Sequence, residues 1–294
     1  MIRGKTGIRI SVALCISLAP SQSALAQSSP GYSMTSKITF EMDTGGKKQV
    51  EMKVESTGTL MRLSMDGPAF ADSVGGFYQV HDIAANTMML ILPRMKSATL
   101  IDMSDVAQNA RLTMKTELSG EPLFFIEDRG TGEPVLGWAT HRYHLRSETT
   151  TIYSWGSVSC QTKEVRESDA WTTTEFEPPA SYYQALASIG GTLGSSNNVY
   201  AVLKRKKMKG FVVKEIGTST TRSGAAVPAE IKATIELTAF STADLASSRF
   251  AVPSDYDLLD LRKVRAELDP SMMAQAQSAV GENAIKKKCG EGAK

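Results

Sequence analysis

Short apolar segments with period-two alternation recur along most of this chain, and they restrict its fold more than any other feature. Residues 37–43 have the sequence KITFEMD and residues 49–54 have QVEMKV, so every second residue in each is apolar. The intervening Thr-Gly-Gly is typical of a tight turn. Alternation with a turn of this kind predicts a β-hairpin with one buried face.

Further segments of the same kind follow at short intervals, with Gly, Pro, Asn or Asp in most of the gaps. They cover residues 60–65, 77–81, 87–92, 98–102, 111–118, 123–127, 140–146, 149–155, 162–165, 170–174, 211–216 and 230–239. Consecutive antiparallel strands with one buried face give this repetition. The predicted fold class is therefore mainly β (α+β), with a single curved antiparallel sheet over residues 36–262.

Helical spacing interrupts the alternation after Pro178 and Pro179. Residues 180–189 (ASYYQALASI) place Tyr182 and Leu186 on one stripe, and two glycines follow. We expect an inserted helix here that covers the open side of the sheet. Residues 263–294 are charged and rich in Ala, which predicts a helical tail.

The first 26 residues have the pattern of a secretory signal peptide. Three basic residues precede a short apolar stretch at 10–19, and Ala24-Leu25-Ala26 supplies small residues for cleavage after Ala26. Ten apolar residues are too few for the roughly 20 that span a bilayer. We expect a periplasmic protein with a flexible leader at 27–35 and no transmembrane segment in the mature chain.

Charge and cysteine content narrow the function classes. Without residues 1–26 the chain keeps 30 Lys and Arg against 31 Asp and Glu, a net charge of −1, which argues against a nucleic-acid partner. Cys160 and Cys289 are the two cysteines of the mature chain, and an oxidising compartment permits a disulfide between them. Two free thiols are the alternative.

No pattern predicts catalysis or metal binding. His141 and His144 are three residues apart, so on a strand they point to opposite faces, and His81 has no ligand partner at suitable spacing. A Gly-x-Ser-x-Gly nucleophile motif and a glycine-rich phosphate loop are both absent from the sequence. We therefore expect neither an enzyme nor a cofactor.

Methionine is concentrated in the first half of the chain, where nine of the 14 lie between Met42 and Met114. Thioether side chains fill irregular gaps in a core, which is one interpretation. They also re-pack around irregular apolar ligands, so a lining for a lipid or acyl chain is the other.

Four segments together resemble a known family. They are TMMLILPRMKSATLIDM from residue 87, VLGWATHRYHLRSE from 135, DAWTTTEFEPP from 169 and SSRFAVPSDYDLLDL from 247. In this order they resemble the secreted bacterial proteins of domain of unknown function 4412, over residues 36–261. Gly137, Tyr143 and Trp171 match its motifs, as do the Phe, Val, Pro and Tyr of the last segment.

That family is similar to the lipoprotein-localisation carriers, whose sheet forms a half-barrel with helices plugging the open side. The resemblance implies a half-barrel here, and it transfers no catalytic residues. We expect a non-enzymatic binding or carrier protein for a hydrophobic ligand: an acyl chain, a lipid or an apolar protein segment. The expected lining residues are Phe40, Met52, Leu63, Leu90, Tyr143, Tyr182 and Leu186. The alternative is an envelope assembly or protein-interaction module without a small-molecule ligand.

Overall fold

A computed structural model describes residues 28–42, 46–67, 76–104, 115–155, 158–178, 182, 208–223 and 228–267. Their dominant element is one sheet of 13 strands. The strands are β1 (Ser28–Met42), β2 (Lys47–Thr57), β3 (Leu60–Asp66), β4 (Phe77–Asp82), β5 (Thr87–Leu92), β6 (Ser97–Asp102), β7 (Lys115–Leu118), β8 (Leu123–Thr131), β9 (His141–Trp155), β10 (Val158–Thr173), β11 (Phe211–Ser223), β12 (Ala229–Ala246) and β13 (Asp257–Asp260). One helix, α1 (Leu261–Glu267), follows the last strand.

The strands pair in the order β13-β6-β5-β4-β3-β2-β1-β12-β11-β10-β9-β7, and β8 also pairs with β9. Every pairing is antiparallel except that between β13 and β6. Among the described strands no pairing joins the two edges, so the sheet is open. The predicted single antiparallel sheet is confirmed.

Register irregularities bend the sheet at three pairings. They lie at Thr35/Ser36 between β1 and β12, at Trp171/Thr172 between β10 and β11, and at Asp128/Thr131 between β8 and β9. An extra residue on one strand of a pair increases local twist and curvature. Tight turns need special backbone angles: Gly58, in the two-residue turn between β2 and β3, has φ +58°.

Several strands extend beyond the alternating segments. β1 begins at Ser28, so residues 28–35 of the expected flexible leader pair with β12. β9 and β10 are each continuous where two segments were expected, because Ser and Thr between the apolar residues still pair through their backbone. Residues 1–26, Leu186, Cys289 and the tail beyond Glu267 lie outside the described residues. So do residues 111–114 and all of the expected helix at 180–189 except Tyr182.

Among the described residues, apolar packing forms three clusters. The largest, here the interior cluster, contains Tyr32, Met34, Val54, Met61, Leu63, Val135, Trp171, Tyr182, Phe211, Val213 and Leu237. The second contains Val80, Ile91, Ala98, Leu245 and Phe250. The third contains Tyr143, Leu145, Ala170 and Met208. The sheet thus has packed regions rather than one uniform core.

Candidate ligand-binding face

Strands β3 to β6 carry apolar side chains in cross-strand register on one face. Directly opposed residues of antiparallel strands point to the same side of a sheet. One row runs from Met61 through His81 and Met88 to Ile101, and the next runs from Leu63 through Gln79 and Leu90 to Thr99. The apolar face, as we define it, consists of Met61, Leu63, Met65, Phe77, Met88, Leu90 and Ile101.

Burial decreases across the apolar face from β3 towards β6. Met61 and Leu63 are 0% and 1% exposed and belong to the interior cluster. Met88, Leu90 and Ile101 are only half-buried. The face therefore passes from a packed core to a surface that still has apolar area to bury.

The opposite face of the same strands is covered by the chain that follows β12. Val80, Ile91 and Ala98 are at most 1% exposed and pack against Phe250. The covered side also keeps half-buried apolar residues, such as Met89 and Leu100, but Val80, Ile91 and Ala98 are sealed there, whereas Met88, Leu90 and Ile101 on the apolar face are all half-buried.

An ion pair holds the covering segment in place. Glu55 on β2 is 3% exposed and pairs with Arg249 and, at 3.1 Å, with Lys53. Arg62 donates a hydrogen bond to the Arg249 carbonyl oxygen (3.3 Å) and lies 4.0 Å from the centre of the Tyr78 ring. Because a buried carboxylate is stabilised when it is paired, Glu55 fixes this segment against β2 and β3.

His81 is the one ionisable residue in the row of Met61 and Met88. It is 2% exposed, and its Nε2 lies 3.2 Å from Oε1 of Gln79. Burial lowers the pKa of His81 to about 4, because the charged imidazolium loses its hydration. At neutral pH the imidazole is uncharged, so the apolar face carries no net charge.

Aromatic side chains line the margin of the interior cluster. Phe176 lies 4.5 Å from Phe240 and 5.4 Å from Tyr32 between ring centres, and Trp138 lies 5.0 Å from Phe240. The loop between β8 and β9 brings Trp138 there through a tight turn in which Leu136 has φ +53°. These rings continue the apolar surface from β3 towards β1 and β12.

The structure brings together some of the predicted lining residues and separates others. Leu63 and Tyr182 belong to the interior cluster, and Met52 packs against it. Leu90 is half-buried on the apolar face. Tyr143 lies in the third cluster, next to Ala170, and Phe40 is half-buried on β1.

Sequence reasoning missed Phe77, Met88 and Ile101 as members of the same face. All three lie within segments that the alternation predicted as strands. Their cross-strand register was the missing information. This register depends on the turns at 83–86 and 93–96, because the length and type of a turn set the register of its hairpin.

A charged row crosses β9, β10 and β11. Trp171 is opposite both Arg142 and Lys214, whose cationic groups lie 5.1 and 5.2 Å from its ring. Burial alone would raise the pKa of Asp169, but hydrogen bonds from Arg142 (2.9 Å) and His144 outweigh it, so the pKa is lowered. Both cations are paired. Arg142 pairs with Asp169, and the Lys214 nitrogen lies 2.5 Å from a carboxylate oxygen of Glu133.

The two neighbouring histidines of β9 contact different carboxylates. His141 Nε2 lies 2.5 Å from Asp128, whereas His144 contacts Asp169 and Glu167 at 3.3 and 3.4 Å. Opposite orientation on the strand explains the separation. Within the described ranges, no group of three or more His, Cys, Asp or Glu residues is arranged to hold a metal ion. No helix in the same residues is long and apolar enough to cross a membrane.

Comparisons with known proteins give one family match. The model of the domain of unknown function DUF4412 matches residues 33–256. No curated protein matches the sequence at a significant level. Among solved structures, PNGF-II in the P21 space group matches with 11% identity and a TM-score of 0.31, over 81% of this chain and 33% of that chain. The chain thus spans about a third of that protein's length, and the likeness is too slight to inform fold or function.

Proposed function

This chain belongs to the DUF4412 family, and we propose that it is a non-enzymatic periplasmic binding or carrier protein for a hydrophobic ligand. An acyl chain, a lipid or an apolar protein segment would lie on the apolar face. The periplasmic location follows from the signal peptide expected at residues 1–26.

The observation that supports this proposal is the decrease in burial along the apolar face. Leu63 is sealed in the interior cluster, whereas Leu90, two strands away in the same row, is half-buried. A ligand that covered Met88, Leu90 and Ile101 would continue the interior cluster across β5 and β6. Methionine suits such a surface because its side chain adapts to irregular ligands.

Burial of hydrocarbon supplies enough free energy for such binding. Each methylene removed from water contributes about 0.8 kcal/mol, so ten methylenes contribute about 8 kcal/mol. Loss of translational and rotational freedom on association offsets much of that gain. Micromolar affinity for a medium-length acyl chain is therefore a realistic expectation.

The test is a binding measurement with matched variants. The mature chain is secreted to the periplasm, purified without detergent, extracted for lipid mass spectrometry and titrated with a fluorescent fatty acid. Met88→Gln and Leu90→Gln should weaken binding at least tenfold, because each puts an amide against the ligand. Leu123→Gln is the control, since Leu123 is 65% exposed on the edge strand β8. An empty protein with no fatty-acid binding would refute the proposal.

A second candidate is a protein-interaction module, and the β7–β8 edge favours it. Leu118, Leu123 and Phe125 are 46%, 65% and 54% exposed there. Exposed apolar residues on an edge strand are suited to pairing with a strand of another protein. This function predicts that Phe125→Lys abolishes crosslinking to an envelope partner, while lipid binding is unaffected.

A further inference from the structure

One face of β9, β10 and β11 is buried although it is polar. On β10, Cys160, Thr162 and Ser168 are buried and alternate with exposed or half-exposed residues, and the half-buried Glu164 and Arg166 share their face by strand position. We call it the hydroxyl face. Its residues with exposure below 10% include Ser147, Thr149, Thr151, Thr162, Ser168, Glu215 and Ser223.

Polar contacts within the hydroxyl face account for part of its stability. Thr162 and Ser223 share a hydrogen bond of 2.9 Å, and Arg166 donates to Glu215 at 2.7 Å. The third cluster covers only the end of the face near Tyr143. The end near Cys160 and Thr162 is buried as well, so another part of the chain must lie against it.

Cys160 identifies that part. It is disulfide-bonded, and the only other cysteines of the chain are Cys15 and Cys289. Cys15 lies within the expected signal peptide and would be removed on export. We infer that Cys289 is the partner, and that the C-terminal tail, residues 268–294, docks on the Cys160 end of the hydroxyl face.

Chain length permits this docking. Helix α1 contacts β6, which lies eight places from β10 in the strand order. At about 4.8 Å per strand the distance across the sheet is about 38 Å. The 22 residues from Glu267 to Cys289 reach about 70 Å when extended, so the tail can cross the sheet.

Charge favours the same arrangement. Lys286, Lys287 and Lys288 directly precede Cys289. Glu164 lies on the hydroxyl face four residues from Cys160, about 13 Å along the strand. A disulfide at Cys160 thus brings three cations within reach of a carboxylate that already accepts a hydrogen bond from Ser219 at 3.0 Å.

Peptide mapping tests the bond in the full mature chain, secreted and alkylated before digestion. Trypsin should release residues 147–163 linked to residues 289–294, and reduction should separate them completely. Cys289→Ser and its matched control Cys160→Ser should each abolish the link. A free Cys160 thiol, or a link to a second copy of the chain, would overturn the inference.

Hydrogen exchange tests the docking separately. In Cys289→Ser, and in a variant with Lys286, Lys287 and Lys288 changed to Glu, peptide 147–163 should exchange about tenfold faster than in the parent protein. Peptide 47–66, from β2 and β3, is the internal control and should not change. A disulfide without any change in exchange would refute docking of the tail.

Discussion

Titration of His81 should make the stability of this protein depend on pH in a defined window. The pKa of the buried imidazole is about 4, against an ordinary value near 6.5 in the unfolded chain. The unfolded state therefore binds more protons, so His81 favours folding above pH 6.5 and this contribution is lost as the pH falls towards 4. These two pKa values give a loss of about 2 kcal/mol between pH 7.5 and pH 5.

Urea unfolding of the parent protein and of His81→Gln at pH 7.5, 6 and 5 measures this contribution. The variant is less stable at pH 7.5, because an amide replaces a neutral ring in an apolar row. The difference between the two proteins should shrink by about 2 kcal/mol at pH 5.

Gln79→Leu serves as the control for the cause of the shift. It removes the side chain 3.2 Å from the imidazole but keeps the burial, so the dependence on pH should remain. If the difference between the parent protein and His81→Gln changes by less than about 0.5 kcal/mol over the pH range, burial of a neutral His81 is refuted.

Four further substitutions test the packing, an ion pair and a turn. Leu63→Ala should lower the free energy of unfolding by about 2–5 kcal/mol, against about 1 kcal/mol for Leu90→Ala, because only Leu63 is fully buried. Arg249→Met should lower the free energy of unfolding in urea by about 1–2 kcal/mol, because Glu55 loses one of the two ion pairs described for it and keeps the pair with Lys53. The loss is modest because the Arg249 side chain is 47% exposed. Leu136→Asn should raise the melting temperature by a few degrees, because Asn tolerates φ +53° better; no rise would mean that the turn is not strained.

Period-two alternation was enough to predict the sheet and most of its strands. It failed where the polar residues of a strand are themselves buried. On β9, Ser147, Thr149 and Thr151 are at most 8% exposed. Between Leu145 and Tyr153 the buried face of this strand therefore has no apolar signature, and one strand was divided into two segments. Residues 28–35 were missed because their strand is fixed by pairing with β12, about 200 residues later.

The candidate site was only partly accessible from sequence. Side-chain type identified Leu63 and Leu90 as apolar strand residues, but whether two strands place them in one row depends on register. Tyr143 shows the limit: it alternates correctly on β9, yet it packs against Ala170 and Met208 in a different cluster. Distance along a bent sheet, which alternation does not encode, decides which apolar residues meet.

The position of β1 in the sheet has a consequence for the order of folding. Strands β2 to β6 form one run of neighbouring hairpins, and the pairings among β9 to β12 are also between consecutive strands. Among the described strands, β1 joins these two halves by pairing with β2 on one side and β12 on the other, and the segment after β12 adds a second link through β13 and β6. Closing that seam brings together residues about 200 positions apart, which is slow because a long loop must be ordered first. The two halves therefore unite only once β12 is available, and the full sheet forms last.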